Sequence, residues 1–458
     1  MTRSIFPLIA FTLFAIRLSA QTCYCPDEFQ TLKEYMERNY AGFNDKVTPA
    51  TRAAYDSTSA AAYRLAKSIK RPLFCLALMR QWLNFFQDAH NYLTQQTQPA
   101  CTDCGETVLL PASTLTELQT GKSIQGIYYN RDSTYKIAIV KNKNAGRDFV
   151  GVMLESRAPT WKPGQIKLEL KAAGPNRYLA ISYLRDHSAE GTEMIFDGTT
   201  INNGAWFRAG SPKPHAGWVS RPVLQARRLS AKTYYIGLGS FDEGNAAAID
   251  SLFRADSVLL RSIPNLILDL RGNGGGSDFV YGPVTPVIYG GPFKITGVDV
   301  RATTDNIKSW SLLLGDKYIT GELRFWIQMN IAAMKANPGQ FIPATTNRFS
   351  ILPEVRTFPQ RVAVLIDEDC GSTTEQFLLE AMQSKKVTLM GQHTRGVLDY
   401  ANVRTVALPC LPYTLNYATT RSRRIDQGKG IDNVGIQPAI VLGDDVDWVV
   451  AARKYLEQ

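Results

Sequence analysis

Ser372 lies in the stretch Arg361–Leu379, RVAVLIDEDCGSTTEQFLL, where residue character changes within a few positions. Val362 to Ile366 is an apolar run too short for a helix, which reads as a buried strand. A polar turn from Asp367 to Gly371 follows, and Phe377, Leu378, Ala381 and Met382 then recur at helical spacing. Ser372 therefore falls where a strand hands over to a helix N-terminus, among unpaired N–H groups and the positive end of the helix dipole. A hydroxyl so placed is a candidate nucleophile for acyl transfer. Ser372-Thr-Thr-Glu375 also spells a capping box, and a plain helix cap is the commoner use of that pattern.

Two further sets of residues bear on this chemistry. The run Arg271-Gly-Asn-Gly-Gly-Gly276 directly follows the apolar stretch Asn265–Leu270. No Gly-Lys-Ser/Thr accompanies it and the spacing is wrong for a dinucleotide loop. It does offer unhindered backbone N–H groups that can converge on an oxyanion, whereas a tight turn would account for only one or two of the glycines. A base must come from the four histidines. His187 and His215 fall in turns and read as solvent-facing, which leaves His90 and His393. His90 follows Leu76, Met79, Leu83 and Phe86 at steps of three or four, so it shares the direction of an apolar helix face, where an interior histidine fits as well as a catalytic one.

The elements that must position these residues read as three regions behind a leader. Arg3 precedes an apolar run from Ile5 to Ile16, and Leu18-Ser19-Ala20 resembles a signal-peptidase site, so residues 1–20 read as an export signal. Cys23 follows Thr22 and not a small residue, which argues against lipoprotein processing. Residues 21–104 read as helical: one helix opens at Pro26 with Phe29, Leu32, Met36 and Tyr40 on a face, a second covers Ser57–Lys70, and a third starts at Pro72. Residues 105–225 read as an antiparallel β meander, closed or sandwiched, with strands at Tyr135–Val140, Phe149–Leu154, Ile166–Leu170 and Tyr178–Tyr183. From 226 to 458 strands and helices alternate, the sign of a parallel or mixed α/β sheet. Within it, 284–358 is a long insertion with a helix at Glu322–Lys335.

Composition excludes several classes. The chain has 458 residues, enough for more than one core, and a formal charge of +10 that becomes +8 once Arg3 and Arg17 leave with the leader. That excess is scattered, with no dense basic run, so nucleic acid is not an expected partner. No later stretch of ~18 uncharged apolar residues is present, so no membrane span is expected. Seven cysteines (Cys23, Cys25, Cys75, Cys101, Cys104, Cys370 and Cys410) suit an oxidising compartment, and their odd number leaves a thiol over. Export and the spacing of Cys23 and Cys25 argue against a zinc site with Cys101 and Cys104. A disulfide from the N-terminus to the loop around Cys101 and Cys104 is expected instead.

Four segments then resemble, in order, the motifs of the serine peptidase family that includes the tail-specific (C-terminal-processing) proteases, the tricorn core protease and the retinoid-binding repeats of the retina. They are Asp269-Leu-Arg-Gly-Asn-Gly-Gly-Gly276, Ser372-x-x-Glu375, Gly391-Gln-His-Thr-Arg-Gly396 and Gly430-Ile-Asp-Asn-Val-Gly-Ile-Gln-Pro438. The resemblance spans roughly Tyr234 to Leu442 apart from the insertion. It implies a Clp-protease/crotonase-like α/β catalytic domain with Ser372 as nucleophile. Val397 stands where the tail-specific branch has its lysine. The segment is closer to the tricorn-like branch, whose base is a histidine from a preceding helical region, and Asp88-Ala-His-Asn91 resembles its Asp-Gly-His motif. The resemblance thus implies His90 as general base, Asp432 as an acid that orients it or assists through a serine or water, and the N–H groups of Thr373 and of Gly275 or Gly276 as oxyanion donors. Asp432 replaces a glutamate, Ala439 replaces an acid, and the β meander stands where tail-specific proteases carry a PDZ domain, so selection of C-terminal tails is not carried over.

The expected function is an exported, periplasmic or extracellular serine endopeptidase acting on peptides or unfolded proteins, with no metal or organic cofactor. The alternative is an inactive member of the fold that binds peptides or lipids. That alternative would gain if the His90 imidazole lay beyond hydrogen-bond reach of Ser372.

Overall fold

Apolar spacing builds the first helices of the structure, a computed structural model that describes residues 23–95, 106–118, 123–212, 222–317 and 319–458. The leader, Cys101, Cys104 and His215 lie outside the described residues. α1 (Cys25–Asn39) has Pro26 in its first turn and buries Phe29, Leu32 and Met36. It is followed by α2 (Phe43–Lys46), α3 (Arg52–Ala66) and α4 (Pro72–Leu83). Helical geometry stops at Leu83, continues through one 3₁₀ turn to Phe86 and ends at Gln87, whose φ is +46°. His90 therefore does not continue the α4 stripe as its spacing suggests. It sits on the loop past the break, and β1 (Tyr92–Gln95) begins two residues later.

After α5 (Ala112–Glu117), eight strands form one antiparallel sheet in the order β7-β6-β5-β4-β3-β2-β9-β8. They are β2 (Gly126–Asn130), β3 (Tyr135–Lys141), β4 (Phe149–Ser156), β5 (Ile166–Gly174), β6 (Arg177–Tyr183), β7 (Ala189–Ile195), β8 (Thr200–Ile201) and β9 (Trp206–Arg208). Both faces are apolar: along β3, Ile137 and Ile139 enter one cluster while Ala138 and Val140 enter another. His187 corrects the solvent-facing reading. Its ring stacks on Trp161 with centroids 4.0 Å apart, and Nε2 lies 2.8 Å from the Thr160 carbonyl, because the turn folds back over the indole.

The last region carries β10 (Leu224–Arg228), β11 (Thr233–Leu238), α6 (Ala246–Ala255), α7 (Ser257–Leu260) and β12 (Asn265–Asp269). Next come α8 (Thr285–Ile288), β13 (Phe293–Ile295), β14 (Val298–Arg301), α9 (Thr304–Leu313), α10 (Gly321–Ala336), β15 (Phe341–Pro343) and β16 (Arg348–Ser350). The chain closes with β17 (Arg361–Ile366), α11 (Thr373–Ala381), β18 (Val387–Gly391), β19 (Tyr400–Ala407), β20 (Tyr413–Ser422), β21 (Ile440–Val441) and α12 (Trp448–Leu456). The sheet β10-β11-β12-β17-β18-β21 is parallel apart from the β10 edge. Helices cover both its faces: Val362, Val364 and Ile366 pack toward the side of α6 and α11, and Ala363 and Leu365 toward α12. The fold is mixed α/β with a helical N-terminal part and further antiparallel sheets, in line with the fold class expected.

A second sheet, β1-β20-β14-β15 with β19 also on β20, joins the regions. β1 pairs antiparallel with the first half of β20, from Tyr92↔Asn416 to Gln95↔Tyr413, while the insertion supplies β14 and β15. The helices share one apolar core with Leu179 and Ile181 of β6 and with Tyr400, Leu415 and Tyr417 of β19 and β20. Two disulfides, Cys23–Cys410 and Cys25–Cys75, correct the pairing expected with Cys101 or Cys104. The turn between β19 and β20 folds onto the start of α1, where Glu28 also accepts the Leu411 N–H at 2.9 Å, and α4 packs beside α1. Cys370 is a buried free thiol.

Glu169 of β5 is buried and bonded to Arg71 at the start of α4, to Arg147 at 2.8 Å and to the Tyr183 hydroxyl at 2.6 Å. Burial alone would raise its carboxyl, but the hydrogen bonds from Arg71, Arg147 and Tyr183 outweigh that and hold it low. Its stabilising effect is therefore present above the ordinary glutamate range and is lost as pH falls below it. Glu169→Leu should cost about 3 kcal/mol in urea unfolding at neutral pH, and that gap should close in acid.

Candidate active site

Adjacent parallel strands set the geometry. β12 and β17 pair in register, so the glycine loop after one and the turn after the other leave the same edge of the sheet side by side. The two loops are joined by hydrogen bonds: Asp367 accepts the Gly272 N–H at 2.9 Å, and Asn273 O accepts the Gly371 N–H at 3.2 Å. Gly275 approaches so closely that a Cβ there would lie 2.9 Å from Ser372 Cβ and 3.0 Å from the Thr373 nitrogen. Its φ of +110° likewise requires glycine.

Ser372 is the N-cap of α11 with φ +56° and ψ −122°, a conformation a non-glycine residue holds only when its surroundings impose it. Glu375 does much of the imposing. The capping box read from the sequence is present, with the Ser372 N–H on Glu375 Oε2 at 3.1 Å. The same fully buried carboxylate takes the Thr394 hydroxyl at 2.5 Å and the N–H groups of Gly396 at 2.7 Å and Val397 at 2.8 Å. One side chain thereby binds the Ser372 turn to the loop before β19.

The Ser372 hydroxyl lies 3.0 Å from His90 Nε2, a contact between residues 282 apart in sequence. Both residues are half-buried and reach solvent. His90 Nδ1 is 2.7 Å from the carbonyl oxygen of Tyr400. A carbonyl only accepts, so Nδ1 carries the proton and Nε2 presents its lone pair to the serine. Asp88 Oδ1 accepts the His90 backbone N–H at 2.9 Å and stands 3.7 Å from Nδ1, while Oδ2 takes the Tyr40 hydroxyl at 2.8 Å and Asn91 Nδ2 at 3.1 Å. Burial pushes the Asp88 carboxyl up, against the pull of His90 and of its hydrogen bonds.

The other residues singled out from the sequence fall as follows. Asp432 does not bond to the imidazole, because Tyr400 O already takes Nδ1 and the side chain is spent elsewhere. Its Oδ1 accepts the Leu398 and Asp399 N–H groups at 3.1 and 2.9 Å, and its buried Oδ2 makes no hydrogen bond. Burial and the charge of Asp88 push its carboxyl up to about 7. Gly275 loses its place as an oxyanion donor, since its N–H goes to Asn273 Oδ1 at 3.0 Å. The Thr373 and Gly276 N–H groups have no acceptor among the described residues, and Thr373 Oγ1 fixes their neighbourhood by donating toward Gly276 O at 2.8 Å. His393 is exposed and paired with Glu368, away from the serine. Among the described residues no lysine contacts Ser372; Lys46 approaches Asp432 instead, with Nζ 3.8 Å from Oδ2. Sequence reasoning missed Tyr400, which acts through its carbonyl and leaves no side-chain signature. It also left Asp88 without a role, although the residue stands two places before His90.

Residues 232–442 match the model of Peptidase family S41, so this part of the chain is a serine-type peptidase domain. Among curated proteins none matches. Among solved structures, mature CPAF is 13% identical with a TM-score of 0.50 over 95% of each chain. Mature CPAF complexed with lactacystin is also 13% identical, with a TM-score of 0.51 over 95% of this chain and 97% of that one. At such identities these likenesses speak for the fold. A photosystem II D1 C-terminal processing protease is 14% identical over 94% of this chain and 97% of its own, with a TM-score of 0.38.

Glu375→Gln tests the tether. An amide in place of the carboxylate turns one of four accepted bonds into a clash of donors inside the protein. The variant should lose about 2–3 kcal/mol of stability in thermal or urea unfolding, and Ser372 should become less reactive in the folded fraction. A variant as stable and as reactive as the parent would show that the loop and the nucleophile turn are held by something else.

Proposed function

We propose that the chain is an exported serine endopeptidase in which Ser372 forms an acyl-enzyme and His90 is the general base. The observation that carries this is the 3.0 Å approach of Ser372 Oγ to His90 Nε2, with the other ring nitrogen held by Tyr400 O. The hydroxyl passes its proton to Nε2 as Oγ attacks a peptide carbonyl. The imidazolium that forms keeps its Nδ1–H on Tyr400 O, with the Asp88 carboxylate 3.7 Å away to stabilise the charge. It then protonates the leaving amine, and water, deprotonated by the same ring, hydrolyses the acyl-enzyme. The N–H groups of Thr373 and Gly276, at the start of α11 and beside it, are the donors for the tetrahedral oxyanion. Asp432 contributes negative charge behind the histidine and not a hydrogen bond to it.

Peptides or unfolded proteins fit this chemistry as substrates, and nucleophile, base and donors together require neither metal nor organic cofactor. Export is supported by the apolar run Ile5–Ile16 behind Arg3 and by two disulfides, which persist in oxidising compartments. The binding-only reading loses the condition that would have favoured it, because imidazole and hydroxyl are within hydrogen-bond reach.

A fluorophosphonate probe should label the mature protein on Ser372. Labelling should vanish in Ser372→Ala and fall by about 10²–10⁴-fold in His90→Ala. Labelling of Ser372→Ala at the parent level would overturn the assignment. Loss in Ser372→Ala with full retention in His90→Ala would keep the nucleophile and remove the base.

A further inference from the structure

Asp45 and Lys46, adjacent in α2, both face Tyr400. Asp45 Oδ2 accepts the Tyr400 hydroxyl at 3.0 Å and is held in turn by Arg421 at 2.6 Å. Lys46 Nζ stands over the same ring, 5.1 Å from its centroid, and Tyr40 packs edge-on from another side with centroids 5.6 Å apart. The side chain of Tyr400 is thus gripped at its hydroxyl and its face, while its carbonyl grips His90.

The ammonium has a second contact. It lies 3.8 Å from Asp432 Oδ2, the buried oxygen without a hydrogen bond. Lys46 is itself largely covered, with 18% of its side chain exposed, so this pair is screened less than a surface one. The other charged groups packed around it are Asp88 and His90 from the loop before β1, Asp45 from α2, Asp399 just before β19, and Arg421 and Arg424 at the end of β20. Arg421 is engaged by Asp45 and Asp426, and Arg424 by Asp399. The cation facing the open oxygen of Asp432 is therefore Lys46.

We propose that Lys46 is a positioning residue for the Ser372–His90 pair, acting through the ring of Tyr400 and through the charge of Asp432. The proposal rests on the peptidase reading above. Its sign is fixed by electrostatics. Removing a cation makes a nearby carboxyl hold its proton more tightly, so Asp432 and Asp88 would both stay protonated to higher pH. Asp432 is pushed up to about 7 by burial and by Asp88 even with Lys46 pulling the other way, so little further rise leaves it neutral at working pH.

The test is the rate of fluorophosphonate labelling of the full mature chain, followed across neutral pH. In Lys46→Met, which keeps the stem and drops the charge, the acidic limb should move up by about one pH unit. Lys46→Arg should keep the parent limb, and in an Asp432→Asn background the Met substitution should shift it less. Lys46→Gln serves in place of Met if that variant does not fold by circular dichroism. A parent that labels together with a Lys46→Met profile that overlays it overturns this proposal alone, as does an Arg variant shifted as far as the Met variant. A parent that never labels overturns the peptidase reading and this proposal with it.

Discussion

A strand of four residues fixes where the imidazole can be. β1 starts two residues after His90 and is hydrogen-bonded to β20 from Tyr92 to Gln95, so the loop bearing the histidine cannot drift from the sheet that carries Tyr400. From the other side Asn433 Nδ2 donates to the carbonyl of Gln87 at 2.9 Å, pinning the start of that loop to the segment holding Asp432. Beneath both, the helices and β19–β20 bury their apolar side chains in one cluster, and Cys23–Cys410 adds a covalent tie. A base carried on a hinged module would meet the serine only part of the time. An imidazole carried on a shared core is in place before any substrate arrives, which is where much of the benefit of orientation comes from.

Ser372 is held by a different device. Cap and nucleophile are competing readings of Ser-Thr-Thr-Glu when the segment is taken alone, and in the folded chain they are one arrangement. Glu375 satisfies the backbone N–H of Ser372, which leaves the hydroxyl oriented toward His90. The left-handed backbone at Ser372 is strained for a serine, and a buried carboxylate with four donors around it can offset that strain. Gly275 supplies the remaining condition, since any side chain there would collide with the serine.

What could be read from residues alone follows from how local each cause is. β17 and the strands β3 to β6 were legible because burial is written into consecutive residues, whether as an unbroken apolar run or as an apolar stretch between turn residues. The meeting of Ser372 and His90 was legible only through ordered motifs, because nothing in either segment points to the other. The break at Gln87 was not legible: glutamine carries no mark of a left-handed residue, and the apolar steps run on through Phe86 as though the helix continued. The disulfide partners were hidden for a similar reason, with Cys23 and Cys410 separated by 387 positions in sequence. Carbonyl and amide roles are the least legible of all. Tyr400 acts through an oxygen every residue has, and the Gly275 N–H is lost to an asparagine side chain two positions earlier.

The cluster behind the histidine raises an energetic question that the geometry answers. Asp88 and Asp432 are both buried, and each raises the cost of ionising the other. Replacing them with apolar residues would remove that cost, yet it would also leave an imidazolium facing only a carbonyl dipole. A neutral ring needs no negative charge near it; a ring that takes a proton from serine, as proposed for His90, does. Asp88 stands 3.7 Å from Nδ1 without a close hydrogen bond, so in the proposed mechanism its charge would face the imidazolium while the Nδ1 proton stays hydrogen-bonded to the Tyr400 carbonyl. That is the balance the proposed general base requires, and it accounts for a carboxylate set back from a ring nitrogen already bonded to a neutral acceptor.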